Sequence, residues 1–195
     1  MQLYGTPLSH FSRKIRILLQ ELDIQFEFFD IGNVAKNTPN VFCGNPLMKV
    51  PILKDNGKII FDSDNIARYI VNKYNSEDYF RVYCNDPEYT NTLAVTSGIM
   101  GAEVKIILAQ RTGMQDIYQY SVFSKAQNVI INGLRWLNEQ NSVLNTENFS
   151  YLDISVVCMW DHLQHYKLFE LDFPFLENHS QILNLRPKFA SSKPS

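Results

Sequence analysis

GTPLSHFSRK, residues 5–14, joins a predicted strand to a predicted helix. The apolar segment 1–4 ends at Gly-Thr-Pro, a combination typical of a turn. From Phe11 onward the apolar side chains recur at helical spacing and form one stripe. Ser9 lies just before this stripe, where a helix N-cap belongs. The stretch therefore predicts a helix start with a hydroxyl beside the unpaired N–H groups of the first turn.

A second stretch, MKVPI at residues 48–52, begins the third predicted strand with a proline. Residues 50–53 and 58–61 are apolar-rich and are joined through Asp-Asn-Gly, which is a strong hairpin signal. A proline at a strand start is tolerated where its missing N–H faces a ligand. We predict that the Val50–Pro51 peptide bond is cis. A trans proline on an edge strand is the alternative.

The order of predicted elements in the first part of the chain is strand, helix, strand, a polar loop, then a hairpin and a helix. This is the thioredoxin-like order, although SHFS at residues 9–12 replaces the Cys-x-x-Cys of redox thioredoxins. We predict an α/β domain over residues 1–75, followed by a polar linker over residues 76–85.

Residues 86–195 are predicted to be helical. Apolar residues at spacings of three and four run through 95–109 and 123–137 and predict two packed helices. Ser150 and Asp153 form a capping box before a nearly all-apolar helix, so Asp153 is interpreted as structural. Gly98 and Gly101 are costly in a helix interior and predict the close approach of another element.

Composition excludes several classes of function. Eighteen basic and twenty acidic residues give a net charge of −2, which argues against nucleic-acid binding. We identify neither an apolar run long enough for a membrane helix nor a signal peptide. The cysteines are three in number and far apart, which fits a reducing cytosol and predicts a cytoplasmic location. The pair His162-x-x-His165 shows no third ligand, so we interpret it as a surface pair and assign no metal.

Together these motifs resemble the cytosolic glutathione transferases. The resemblance rests on Ser9 at the helix start, NPLMKVP at residues 45–51, Asp62-Ser63 at the start of the next helix, and the helix with the capping box. It extends over nearly the whole chain and is strongest to bacterial members that carry serine at the activating position. It implies a thioredoxin-like N-terminal domain and an all-α C-terminal domain that contributes the pocket for the electrophile.

The resemblance implies a catalytic role for Ser9, whose hydroxyl would hydrogen-bond the glutathione sulfur and favour the thiolate. It also implies a set of glutathione-binding residues around that sulfur. These are Lys49 near the glycyl carboxylate, Val50 and cis-Pro51 beside the cysteinyl part, and Asp62 with Ser63 on the γ-glutamyl group.

The expected activity is attack of the glutathione thiolate on a small hydrophobic electrophile, as in detoxification. Glutathione is then a co-substrate, and the family implies a homodimer. Two alternatives stay open: a non-catalytic binding or adaptor protein of the same fold, and a glutathione-dependent thiol reductase. Relatives with the second activity usually carry cysteine at the position of Ser9.

Three of the proposed site residues also have a simpler interpretation. Ser9, Asp62 and Ser63 could each serve only as helix caps. His10 stands where many relatives have proline, and we interpret it as a solvent-exposed neutral replacement. The alternative is that His10 influences the acidity of the glutathione thiol, since histidine can titrate near neutral pH. Ser12 is the rival hydroxyl, although one turn further along it is expected to face the helix.

Overall fold

The computed structural model describes residues 1–36, 38–75 and 77–194. The strands are β1 Gln2–Gly5, β2 Glu27–Asp30, β3 Ile52–Asp55 and β4 Lys58–Phe61. The helices are α1 His10–Glu21, α2 Ser63–Tyr74, α3 Pro87–Arg111, α4 Ser121–Leu137, α5 Tyr151–Tyr166, α6 Pro174–Asn184 and α7 Pro187–Ala190. Two ends of the predicted segments, Ser76 at the start of the linker and Ser195, lie outside the described residues.

The four strands form one mixed sheet in the order β2-β1-β3-β4. β1 pairs in parallel with β2 across the helix α1, and β3 pairs antiparallel with both β1 and β4. Asn56 and Gly57, both at positive φ, form the turn of the β3–β4 hairpin. The fold is thioredoxin-like in its N-terminal domain, as predicted. The Val50–Pro51 bond is cis, which confirms that prediction.

The helical part of the chain is built around α5. Its residues 151–163 are all buried, and both hydrogen bonds of the capping box between Ser150 and Asp153 are present. α3 and α5 contribute side chains to the same core cluster, which also includes residues of α4. The capping box and the central position of this helix confirm the prediction of an all-α C-terminal domain with a buried core helix.

α3 is the one helix in the described ranges that is long and apolar enough, by length and composition, to cross a membrane. This corrects the expectation that no apolar run is long enough for a membrane helix. Ten side chains of α3, among them Ile99, Met100 and Ile106, are nevertheless buried inside the protein. Core helices of soluble proteins pass the same test, so this single helix is weak evidence for a membrane span.

The two glycines of α3 are not sites of close approach to another element in the described part of the chain. A Cβ atom added at Gly98 or Gly101 would meet nothing within 4 Å. The close approach between α3 and α4 occurs instead at Gly133, where a Cβ would lie 2.8 Å from the side chain of Ile99. The predicted close packing at Gly98 and Gly101 is therefore wrong within the chain, and both face a groove between α3 and α4.

Candidate functional site

The sheet register brings the three predicted pieces of the site to one edge. Tyr4 of β1 pairs with Ile52 of β3, which in turn pairs with Phe61 of β4. One step further along these antiparallel strands lie Gly5, Pro51 and Asp62. Neighbouring strands are about 4.8 Å apart. The loop before α1, the cis proline and the start of α2 therefore meet at the same end of the sheet.

Ser9 is the N-cap of α1. Its backbone is extended, and its Oγ accepts a hydrogen bond of 3.2 Å from the Ser12 N–H. Its side chain is partly exposed, whereas most of the helix behind it is buried. Because Oγ acts as an acceptor in the cap, its own proton stays available to donate. The capping role expected of Ser9 is thus compatible with a second role toward a ligand.

The segment before β3 is held by Asn45. Its buried amide donates a 2.9 Å hydrogen bond from Nδ2 to the carbonyl of Lys49. The Lys49 side chain is exposed, Val50 is half-buried and Pro51 is buried. The side-chain amide of Asn45 therefore fixes the backbone that leads into the cis bond, while the Lys49 ammonium extends toward solvent.

Asp62 caps α2 with a positive φ of +73° and a ψ of 129°, a backbone conformation that residues other than glycine rarely adopt. Its exposed carboxylate accepts hydrogen bonds of 3.0 and 3.2 Å from the N–H groups of Asp64 and Asn65. Ser63 is buried, and its carbonyl accepts a 3.3 Å hydrogen bond from the Tyr151 hydroxyl. The edge thus carries a carboxylate and the N-terminus of a helix, which attract opposite charges.

Residues that the sequence analysis missed connect this edge to the helical domain. Lys14 is fully buried, and its Nζ lies 2.6 Å from Oδ1 of Asp64. Tyr151 of α5 donates a 2.9 Å hydrogen bond to the same oxygen. Burial alone would raise the pKa of Asp64, but Lys14 and Tyr151 lower it below its ordinary value. No local sequence signal distinguishes Lys14 from a lysine on the solvated face of an amphipathic helix.

His10 is buried, with 1% of its surface exposed, so the prediction of a solvent-exposed replacement is wrong. Its ring packs against His162 of α5, with the ring centroids 4.0 Å apart. Burial, His162 and Lys14 lower the pKa of His10 well below its ordinary value, against an opposing effect of the Met100 carbonyl. His162 is also buried, which corrects its interpretation as half of a surface pair.

Ser12, the rival hydroxyl, faces the sheet. It is fully buried, and its Oγ would lie only 2.5 Å from a Cβ atom added at Gly5. The glycine thus permits α1 to pack closely on the end of β1. Ser9 is partly exposed, whereas Ser12 is buried, so Ser9 is the better candidate of these two serines for contact with a ligand.

Residues 3–78 match the family model of the glutathione S-transferase N-terminal domain. Glutathione S-transferase 3 of Zea mays is 35% identical over 79 residues, which are 40% of this chain and 36% of the relative. The uncharacterized GST-like protein YibF of Escherichia coli is 47% identical over 72 residues, 36% of this chain and 35% of the relative. These matches support a relationship between this chain and the glutathione transferase family.

The aligned part of the chain spans about a third of the length of the curated relatives that it matches. Solved structures extend the likeness in fold to the whole chain. A glutathione S-transferase from Methylobacillus flagellatus with GSH bound has a TM-score of 0.82 at 24% identity, covering 100% of this chain and 99% of that one. Maleyl pyruvate isomerase, a bacterial zeta-class transferase, has a TM-score of 0.79 at 15% identity, covering 100% and 97%.

Proposed function

We propose that this chain is a glutathione transferase in which Ser9 donates a hydrogen bond to the glutathione sulfur and the thiolate attacks small hydrophobic electrophiles. One observation carries the proposal. The accessible hydroxyl of Ser9, at the N-terminus of α1, shares one edge of the sheet with the cis peptide bond at Pro51 and with the cap residue Asp62.

The chemistry follows from the acidity of a thiol. A free thiol has a pKa near 8.5, and only its thiolate is the nucleophile. The hydroxyl of Ser9 and the positive end of the α1 dipole both favour the anion. A hydrogen bond to a charged group contributes about 1.5–3 kcal/mol, equivalent to roughly one or two units of pKa. That shift would make glutathione substantially ionised at neutral pH.

The rest of the edge suits the remainder of the peptide. The backbone of Val50 can pair with the cysteinyl part, since Pro51 removes one competing N–H from the strand end. The carboxylate of Asp62 attracts the γ-glutamyl ammonium, and Ser63 at the α2 N-terminus attracts the γ-glutamyl carboxylate. The exposed ammonium of Lys49 is available for the glycyl carboxylate. The Methylobacillus flagellatus neighbour, described with GSH bound, supports glutathione as the ligand.

The electrophile would bind against the helical domain. We also infer a homodimer, because Gly98 and Gly101 line an exposed groove between α3 and α4 in which side chains of a second copy could pack. A cytoplasmic location and the domain limits 1–75 and 86–195 are part of the same proposal.

Calorimetric titration of the full chain with glutathione tests binding, and conjugation of a generic aryl halide tests turnover. Ser9→Ala should lower kcat/KM about 10–100-fold, in line with the loss of one hydrogen bond to a charged sulfur. It should also raise the pKa of bound glutathione, measured from the ultraviolet absorbance of the thiolate. Ser12→Ala is the matched control, because this buried hydroxyl faces Gly5, and its pH profile should match that of the parent.

The outcomes separate the alternatives. If glutathione gives no binding heat and the chain is not retained on immobilised glutathione, then glutathione is not its ligand and the transferase proposal is rejected. Tight binding without conjugation, unaffected by Ser9→Ala, would indicate an adaptor and would leave Ser9 as a cap only. Reduction of a mixed disulfide by glutathione in the presence of the parent chain, with release of the free thiol and glutathione disulfide and without conjugation, would indicate a thiol reductase instead.

A further inference from the structure

Three buried side chains from three helices converge behind the predicted glutathione site. His10 is the first residue of α1, Glu103 lies within α3 and His162 lies near the end of α5. Their exposed fractions are 1%, 0% and 4%. We propose that His10, Glu103 and His162 bind one divalent transition-metal ion, with zinc as the best-suited metal. This proposal does not depend on the proposed transferase activity.

Apart from the Met100 carbonyl, which acts on the His10 ring, we find no hydrogen-bond partner outside the cluster for its buried polar atoms among the described residues. Nδ1 of His10, both carboxylate oxygens of Glu103 and Nδ1 of His162 make no hydrogen bond of good geometry with any described residue. Buried polar groups are nearly always paired, and a buried carboxylate without a cation is especially unfavourable. In the described ranges only the two imidazoles approach Glu103 within ion-pair distance. Lys14, the nearby ammonium that acts on His10, is already paired with Asp64.

The spacing of the atoms suits a tetrahedral ion. Nδ1 of His10 lies 3.9 Å from Oε2 of Glu103, and Nδ1 of His162 lies 2.8 Å from Oε1 of Glu103. One candidate ligand atom from each residue can be chosen so that all lie within 4.8 Å of one another. With bonds of about 2.0–2.1 Å, a tetrahedral zinc ion separates its ligand atoms by roughly 3.3–3.4 Å. The two distances, which end on different oxygens of Glu103, fall on either side of that value, so an ion bound through one of these oxygens requires small shifts of the side chains.

The types of ligand atom limit which metal ions suit the site. Two neutral imidazoles and a carboxylate form a common zinc set, which leaves a fourth position for water or another small ligand. Magnesium and calcium prefer sites made of oxygen alone. Burial already favours the neutral ring at His10, the form that donates a lone pair. The ion would link the first residue of α1 to two helices of the C-terminal domain.

The test uses the full tag-free chain, stripped of metal with a chelator and then titrated with zinc against a chromophoric competitor. One zinc ion per chain is expected, together with a rise in the thermal midpoint when zinc is added. Cobalt should give the intense visible bands of a four-coordinate ion. X-ray absorption of the zinc form should show nitrogen and oxygen neighbours at about 2.0 Å and no sulfur.

Glu103→Gln and His162→Gln should each weaken zinc binding by at least about 100-fold, since even loss of an outer partner of a metal ligand costs 10–100-fold. His165→Gln, on the same helix but outside the cluster, should bind zinc as the parent does. The cobalt and X-ray spectra of the parent decide the question even if a variant fails to fold. Weak octahedral cobalt bands, a sulfur neighbour, or undiminished zinc affinity in folded Glu103→Gln would overturn the proposal.

Discussion

The Nζ atom of Lys14 lies 2.6 Å from Oδ1 of Asp64, and the lysine end of this ion pair is completely buried while the aspartate end is 35% exposed. The pair joins α1 to the first turn of α2. The Tyr151 hydroxyl reaches the same carboxylate from α5. The start of α2, which carries the proposed γ-glutamyl site, is therefore positioned by both domains.

The unequal burial of this pair predicts unequal costs of removing its two ends. Asp64→Asn leaves a fully buried ammonium without its anion and should lower the free energy of unfolding by about 3–5 kcal/mol. Lys14→Met leaves a partly solvated carboxylate that still receives the Tyr151 hydrogen bond, so it should cost less. Urea unfolding at pH 7 measures both. Lys188→Met, which removes the exposed partner of Asp23, is the control and should cost no more than about 1 kcal/mol. Equal losses in the first two variants would contradict this account.

The hydrogen bonds of Arg13 lead to a second prediction about the free energy of unfolding. Its Nη1 lies 2.7 Å from Oδ2 of Asp161, while Nη2 donates to the Phe189 carbonyl and Nε to Ser192, both at 3.2 Å. Lysine cannot reproduce this fork of donors. Arg13→Lys should therefore lower the free energy of unfolding by about 2–3 kcal/mol, or roughly 1 kcal/mol for each lost hydrogen bond.

The matched control for Arg13 is Arg135→Lys, because Arg135 is exposed and bonds only Asn132 among the contacts described. Chemical unfolding of the two variants should show a clear difference between them. A cost for Arg13→Lys no larger than that of the control would show that the charge alone, and not the fork, stabilises the contact between α1 and the C-terminal helices.

Local signals were sufficient to predict most of the fold. Ser9 before an apolar stripe predicted α1, Asn56-Gly57 predicted the hairpin, and Ser150 with Asp153 predicted the start of α5. Each of these depends on residues within a few positions of one another. These three elements could therefore be predicted without knowledge of tertiary contacts.

The burial of His10 and His162 was not predictable in the same way. Their partner Glu103 lies far away in the sequence, and the three meet only once α1, α3 and α5 have packed. Similarly, Lys14 is surrounded by partners from α2 and α5. A charged residue on one helix has no local pattern that distinguishes a solvated face from an interface with a second domain.

Gly5 and Ser12 predict a steric effect at the start of α1. A Cβ at residue 5 would lie 2.5 Å from Oγ and 2.8 Å from Cβ of Ser12, closer than real contacts allow. Gly5→Ala should destabilise the chain by about 1–3 kcal/mol through overpacking. Adding Ser12→Ala removes the Oγ contact and should restore part of the loss, as measured by thermal and urea unfolding. Additive costs in the double variant would show that the two residues are not in contact.

Asp55 predicts a pH dependence of stability. Burial alone would raise its pKa, but hydrogen bonds from Lys73, Tyr69 and Tyr74 lower it below the ordinary 3.8. A carboxyl with a lowered folded-state pKa contributes stability above its unfolded pKa and loses it as pH falls through the folded value. Asp55→Asn should therefore cost most at neutral pH, and the difference from the parent should shrink as pH falls below about 4.

Unfolding free energies at a series of pH values measure this effect. The exposed Asp172→Asn is the control and should follow the parent at every pH. A cost of Asp55→Asn that stayed constant from pH 7 to pH 2 would mean that its carboxylate charge is not the source of the stabilisation.

Gly101 makes the proposed dimer testable. It lines the exposed groove between α3 and α4, and a side chain there would meet no atom of its own chain within 4 Å. Gly101→Leu should leave the monomer folded, because the space is open and leucine favours a helix more than glycine by up to about 1 kcal/mol. If a second copy packs on this groove, the leucine obstructs it.

Sedimentation velocity should then show the parent as a dimer and the Gly101→Leu variant shifted toward monomer. Asn128→Leu is the control, because Asn128 is exposed on α4 outside the groove, and this variant should sediment as the parent does. A dimer unaffected by Gly101→Leu would place the subunit contact on another surface, and a monomeric parent would reject the homodimer.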